Sequence, residues 1–177
     1  MLDAPNRGIS DTLVRVKGRL LGTNCDLLGF SHPVAFVMNG TASRLVPLRR
    51  GQQLDAPDAL ANSPLLVLDG RFAIPPDDLG LNRWEHSSNA ALGLLGEGAT
   101  AELVLAVSDG HDGCPRSDPS CGIEAEPMAY FMLDVVRAQQ ALELDQGGSA
   151  TLWVSGKGIV NSNKSGPRKI FSGIAIL

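Results

Sequence analysis

Pro64-Leu65-Leu66-Val67-Leu68-Asp69-Gly70-Arg71-Phe72-Ala73-Ile74 contains two short apolar runs separated by Asp-Gly. Asp-Gly between apolar runs is a strong signal for a two-residue hairpin, because glycine takes a positive φ at no steric cost. The spacing therefore predicts strands over 64–69 and 71–74. The same grammar extends along the chain: twenty glycines and eleven prolines punctuate short segments rich in apolar and β-branched residues, which is how an all-β domain with regular turns reads.

Upstream, Thr12-Leu-Val-Arg-Val-Lys-Gly-Arg-Leu20 alternates with period two, Leu13, Arg15, Lys17 and Arg19 facing one way and Val14 and Val16 the other, as in a half-buried strand. Further strands are expected over 33–38, 43–48, 99–107, 127–136, 150–155, 158–161 and 169–176. Gln146-Gly147-Gly148 and Gly156-Lys157-Gly158 read as turns. Helix signals are few. Asp58–Ala61 suits one turn, and Ser87-Ser88-Asn89 supplies an N-cap before helix formers that run to Gly96. Residues 134–144 suit a strand followed by a short helical turn.

The expectation is an all-β, single-domain fold over 1–177, a jelly roll or β-sandwich of about eight antiparallel strands with at most one or two short helices. Uneven connections favour the jelly roll. Stretches 22–32, 49–63, 75–98 and 108–126 read as long loops, which in a compact domain are usually functional.

The chain has 177 residues, with 15 Lys+Arg against 19 Asp+Glu. A net charge of −4 argues against direct nucleic-acid binding, which needs a basic surface. The charge is segregated. Residues 12–50 carry Arg15, Lys17, Arg19, Arg44, Arg49 and Arg50 against Asp26 alone, while 102–145 hold nine acids against Arg116 and Arg137. No apolar run approaches the ~18 residues of a membrane span. The polar first ten residues lack the features of a secretory signal, so the expectation is a chain made in the cytoplasm without a signal peptide and available for incorporation into a virion.

Three cysteines, Cys25, Cys114 and Cys121, fit a reducing compartment. Cys114 and Cys121 bracket a six-residue loop and could close a disulfide, but compartment favours free thiols. In the same loop, Asp109, His111 and Asp112 are weak candidates for a divalent cation, since carboxylate and imidazole are its usual ligands. Asp and Gly are equally what a long turn needs, and no cofactor is implied. No Gly-x-Ser-x-Gly elbow is present. Ser155 and Lys157 could form an acylating pair but sit in turn chemistry. Gly158 to Ser165 departs from a phosphate loop at Asn163.

Of eight aromatics, six fall in apolar strand candidates and read as core, Trp153 among them. Trp84, in Asn82-Arg-Trp-Glu-His86, is the exception. Trp and Arg are favoured at interface hot spots, so Arg49, Arg50, Trp84 and Arg168 are the candidate interaction residues.

Low charge, segregated charge and no catalytic constellation lead to one expectation: a non-enzymatic structural subunit that assembles with copies of itself or other assembly proteins. At the level of strand count and loop pattern the architecture resembles the single jelly rolls that build many virus shells, which implies a virion capsid, cement or tail component. The alternatives are a carbohydrate- or other ligand-binding β-sandwich module, with Trp84 and His111 converging on one pocket, and a metal-dependent jelly-roll enzyme.

Overall fold

A computed structural model describes residues 13–22, 34–40, 42–48, 54–62, 64–74, 86–110, 118–163, 170 and 173–176. The all-β expectation holds. Two five-stranded antiparallel sheets are present. The first contains β1 (Val14–Val16), β2 (Arg19–Gly22), β3 (Val34–Asn39), β4 (Ala42–Pro47) and β5 (Asp58–Asn62), in the order β2-β1-β5-β3-β4. The second contains β6 (Leu65–Leu68), β7 (Arg71–Phe72), β8 (Asn89–Leu95), β9 (Glu102–Val107) and β10 (Gln140–Gln146), in the order β7-β6-β10-β8-β9. Each half of the chain thus builds one sheet. Of the two expected architectures this is the sandwich, because in a jelly roll Greek-key connections pass between sheets. A two-stranded hairpin, β11 (Trp153–Val154) with β12 (Gly158–Ile159), follows.

Between the sheets lie Val34, Phe36 and Leu45 from one side and Leu92, Leu94 and Leu142 from the other. Hydrogen bonds cross this layer as well. Leu45 N donates to Gln140 Oε1 at 2.8 Å, and Asn62 Nδ2 donates to the Leu144 carbonyl. The outer face of the first sheet has its own cluster around Leu13, Ala35, Val37 and Ala59.

The second sheet is covered on its outer face by α1 (Ala125–Tyr130) and a π-helical turn over Phe131–Val135. Here the structure corrects the strand expected over 127–136. Ala125, Met128, Ala129 and Met132 are buried at i, i+3, i+4, i+7, one helical stripe. They pack on Leu66, Val67, Ala91 and Ala141. Pro127 stands in the first helical turn, where a missing N–H costs nothing. The β-branched Val135 and Val136, which suggest a strand, lie at and just beyond the end of the π-helical turn.

The reverse correction applies to Ser87–Leu95 and Asp58–Ala61, expected to be helical: Asn89–Leu95 forms β8 and Asp58–Ala61 lies in β5. Strand β8 lies between β10 and β9 with the core on one face and the helix on the other. A strand covered on both faces reads as an unbroken apolar run and loses its period of two. Gly93 is where the helix comes closest. A Cβ there would stand 2.4 Å from Met132 Cε.

Hairpin geometry follows the turn residues. Asp69 and Gly70 both have positive φ, 50° and 64°, as the Asp-Gly signal requires. Lys17 and Gly18 do the same at 49° and 77°, so the strand expected over 12–20 is the β1–β2 hairpin. The expected turn at 146–148 is a 3-10 turn over Gly147–Ser149. The last strand, expected over 169–176, is not formed by the described residues 170 and 173–176, although Ile174 packs against the inter-sheet core.

Candidate active site

At one end of the second sheet several chain segments converge. Strand β8 begins at Asn89, and residues 86–88 lead into it. The Ser87 carbonyl accepts from Ile123 N at 3.1 Å and the Ser88 carbonyl from Gly147 N at 2.8 Å. Segment 86–88 is therefore held between 121–124 and the turn after β10. On the other side of β8, Asn89 N donates to Ser108 Oγ at 2.9 Å, and Ser108 N donates to the Asn89 carbonyl at 2.8 Å. Segment 161–163 closes the group. Gly110 N donates to the Ser162 carbonyl at 3.0 Å and Ser162 N to Asp109 Oδ1 at 2.6 Å, and Asn163 Nδ2 reaches the Gly147 carbonyl at 2.7 Å.

Glycine permits this crossing. A Cβ on Gly110 would lie 2.4 Å from Ser88 N and 2.5 Å from the Cys121 carbonyl oxygen. One on Gly122, whose φ is +114°, would lie 2.0 Å from the Ser87 carbonyl oxygen. Both contacts are with backbone, which cannot swing away as a flexible side chain can.

Beneath the crossing lies Glu143, 2% exposed, beside Asn89 and Ser88, both 0% exposed. A carboxylate is rarely buried without strong partners. Here Oε1 accepts from Asn89 Nδ2 at 2.5 Å and from Gln146 Nε2 at 2.6 Å. Four neighbouring buried atoms, His86 Nδ1, Ser88 Oγ, Asn89 Oδ1 and Gln146 Oε1, have no hydrogen-bond partner among the described residues. Buried polar atoms are nearly always paired. Orphans clustered in one place mark where ordered water or a polar ligand completes the set.

Two more carboxylates stand at this end. Asp145 is exposed just beyond an irregularity in the β10–β8 register, and its Oδ1 accepts from Gln146 N at 2.8 Å. Glu124 Oε1 lies 3.1 Å from His86 Nε2. The site thus offers an oriented exposed carboxylate, a buried carboxylate fixed by two amides and a histidine–carboxylate couple that can pass a proton.

Replacing Glu143 by alanine leaves the amide donors of Asn89 and Gln146 without their acceptor. The expected loss is about 2–4 kcal/mol, a fall in Tm of roughly 5–15 °C. Glu143→Gln, which keeps one acceptor oxygen, should lose less. Thermal unfolding of the two variants checks the order.

Of the residues singled out from sequence, Asp109 belongs to this cluster through its bond to Ser162. His111 and Asp112, the other metal candidates, lie outside the described residues, as do Arg49, Arg50, Trp84, Arg168 and Cys114. No group of three or more metal-ligating side chains occurs among the described residues. Cys121 is fully buried and disulfide-bonded. That corrects the preference for a free thiol at this position. The chain's other cysteines are Cys25 and Cys114, both outside the described residues. No helix among the described residues is long and apolar enough to cross a membrane.

Sequence reasoning did not select Glu143, Asp145, His86, Glu124 or Asn89 as site residues. One signal was available. Glu143 interrupts the apolar run Ala141-Leu142-Glu143-Leu144, where an unpaired charge would be too costly to bury.

A family model described as phosphodiester glycosidase (NAGPA) matches residues 3–177, nearly the whole length. The chain belongs to the phosphodiester glycosidase family. Among solved structures it is similar to the catalytic domain of zebrafish N-acetylglucosamine-1-phosphodiester alpha-N-acetylglucosaminidase, auto-inhibited by its pro-peptide, with a TM-score of 0.60 and 16% identity over 86% of this chain. A hypothetical protein from Synechocystis matches with a TM-score of 0.48 and 14% identity over 76% of this chain. The chain spans 50% of the length of the zebrafish structure and 32% of the Synechocystis one. No curated protein matches it.

Membership of the phosphodiester glycosidase family overturns the expectation of a non-enzymatic structural subunit, whether capsid, cement or tail component of a virion. The physical reason is that strand count and charge balance describe a scaffold, and function resides in the site it carries. The site is assembled from residues 86, 89, 109, 124, 143 and 145, too far apart in sequence to form a motif.

Proposed function

We propose that this chain hydrolyses the glycosidic bond of a sugar-1-phosphodiester, releasing the free sugar and a phosphomonoester. The observation that carries the reading is the buried Glu143–Asn89–Gln146 cluster, with its orphaned polar atoms, directly beside the exposed Asp145 in a chain of this family.

Cleavage of the bond between the anomeric carbon and the phosphate oxygen passes through an oxocarbenium-like transition state. Positive charge grows on the sugar, so a fixed carboxylate beside it is stabilising. The leaving group departs as a phosphate anion and needs less help from an acid than an alkoxide would. Asp145 is the carboxylate placed for this role, as nucleophile or as base toward water. Its orientation is set by the Gln146 N–H, and the Gln146 side chain is in turn held by Glu143. Glu143 is accordingly a positioning residue. Its burial keeps it from the substrate while its carboxyl oxygen anchors the two amides. The His86–Glu124 couple supplies a site for proton transfer at the same end.

The test is hydrolysis of the methyl phosphodiester of N-acetylglucosamine-1-phosphate in ¹⁸O-labelled water. The expected products are N-acetylglucosamine and methyl phosphate free of label, because the carbon–oxygen bond breaks. Label in methyl phosphate would mean attack at phosphorus and overturn the proposal, as would absence of turnover.

A further inference from the structure

The β11–β12 hairpin leaves the candidate active site and returns to it. It departs from the Gly147–Ser149 turn beside Asp145. Asn161 clamps its base, donating from Nδ2 to the Ala150 carbonyl at 2.9 Å and accepting from Leu152 N at 2.9 Å. Ser162 and Asn163 then rejoin Asp109, Gly110 and Gly147. The hairpin is thus bolted to the site at both ends while its strands stand in solvent. Trp153 is 63% exposed, and its cross-strand partner Ile159 is 50% exposed. Sequence placed Trp153 in the core, and the structure corrects this. Among the described residues this two-residue strand pairs with one other two-residue strand, too small a sheet to bury its side chains.

Exposing an indole forgoes most of the burial that makes tryptophan valuable, and here Trp153, Val154, Ile159 and Val160 are all exposed on one short hairpin, an apolar patch of the kind that marks a contact surface. Lys157 sits in the connecting turn, its backbone N–H bonded to the Val154 carbonyl at 3.0 Å. Residues 150–163 contain no acid. A flat apolar ring and a cation on one arm match a ligand with a hydrophobic sugar face and a negative phosphate.

We infer that the 150–163 hairpin is the specificity arm of the site, with Trp153 stacking on a pyranose ring of the glycosyl phosphodiester and Lys157 pairing with its phosphate. The inference rests on the proposed reaction for its ligand. It concerns binding of the substrate, and the bond-breaking groups remain those at Asp145.

The experiment measures kcat and KM for the same methyl phosphodiester with the wild-type chain, Trp153→Ala, Trp153→Phe and Lys157→Ala, together with its binding by calorimetry and the sedimentation of each variant. Trp153→Ala should raise KM roughly tenfold with kcat changed less than about threefold. Trp153→Phe, which keeps a ring, should recover most of that loss. Lys157→Ala should raise KM and weaken its salt dependence. An unchanged KM in Trp153→Ala overturns the inference. So does a change in oligomeric state with unchanged KM, which would assign the arm to a protein contact. If no variant or wild type turns the substrate over, the reaction proposal fails alone. Calorimetry then decides the arm: tenfold weaker binding by Trp153→Ala supports it and equal binding overturns it.

Discussion

Asp145→Asn should fold as well as the parent and lose about three orders of magnitude in kcat, within the 10²–10⁴-fold range of a group that handles charge or protons in the transition state. The substitution is nearly isosteric. Asn retains an oxygen to accept the Gln146 N–H that now bonds Asp145 Oδ1, so the turn into Gly147 persists. The side chain is exposed, so little packing is at stake in the substitution. What disappears is the negative charge, which an oxocarbenium-like transition state needs and the ground state does not. The effect therefore falls on kcat more than on KM. Activity within about tenfold of the parent would remove Asp145 from the reaction.

The largest effect on stability is expected at Gly122. Its φ of +114° is a conformation that side chains rarely adopt, and a Cβ would meet the Ser87 carbonyl carbon and oxygen at 2.3 and 2.0 Å. Relief requires segment 121–124 to separate from 86–88. That would break the Ile123 N–H bond to the Ser87 carbonyl and pull Glu124 from His86. Gly122→Ala should cost more than about 4 kcal/mol and abolish activity in whatever fraction still folds. Gly18→Ala is the comparison. Its φ is +77° with nothing within 4 Å of the new methyl group, so only the backbone term remains, about 1–2 kcal/mol. Urea unfolding of the pair separates conformational strain from the clash. Equal losses would show that the crossing at Gly122 relaxes freely.

Local chemistry was legible wherever it decides structure locally. Asp69-Gly70 encodes its hairpin because both residues must take positive φ, and the 156–158 turn does so through Gly156 and Gly158 at +77° and +76°. Lys17-Gly18 belongs to the same class but was hidden inside an alternating pattern that continued across it. Strand β8 and helix α1 were exchanged for one reason. Periodicity reports which faces are covered, and β8 is covered on both. The stripe at Ala125, Met128, Ala129 and Met132 was obscured by the aromatic and β-branched residues that follow it.

Sequence alone determined an all-β antiparallel fold, several of its turns and a loop at 108–110 rich in polar residues, because turn chemistry and strand propensity act over a few residues. Tertiary structure decided the rest. It brought His86, Asn89, Asp109, Glu124, Glu143 and Asp145 to one end of a sheet, turned Trp153 out to solvent and buried Glu143 between two amides. Those outcomes depend on which segments cross at Gly110 and Gly122, and backbone packing between residues tens of positions apart leaves no periodic trace in the chain.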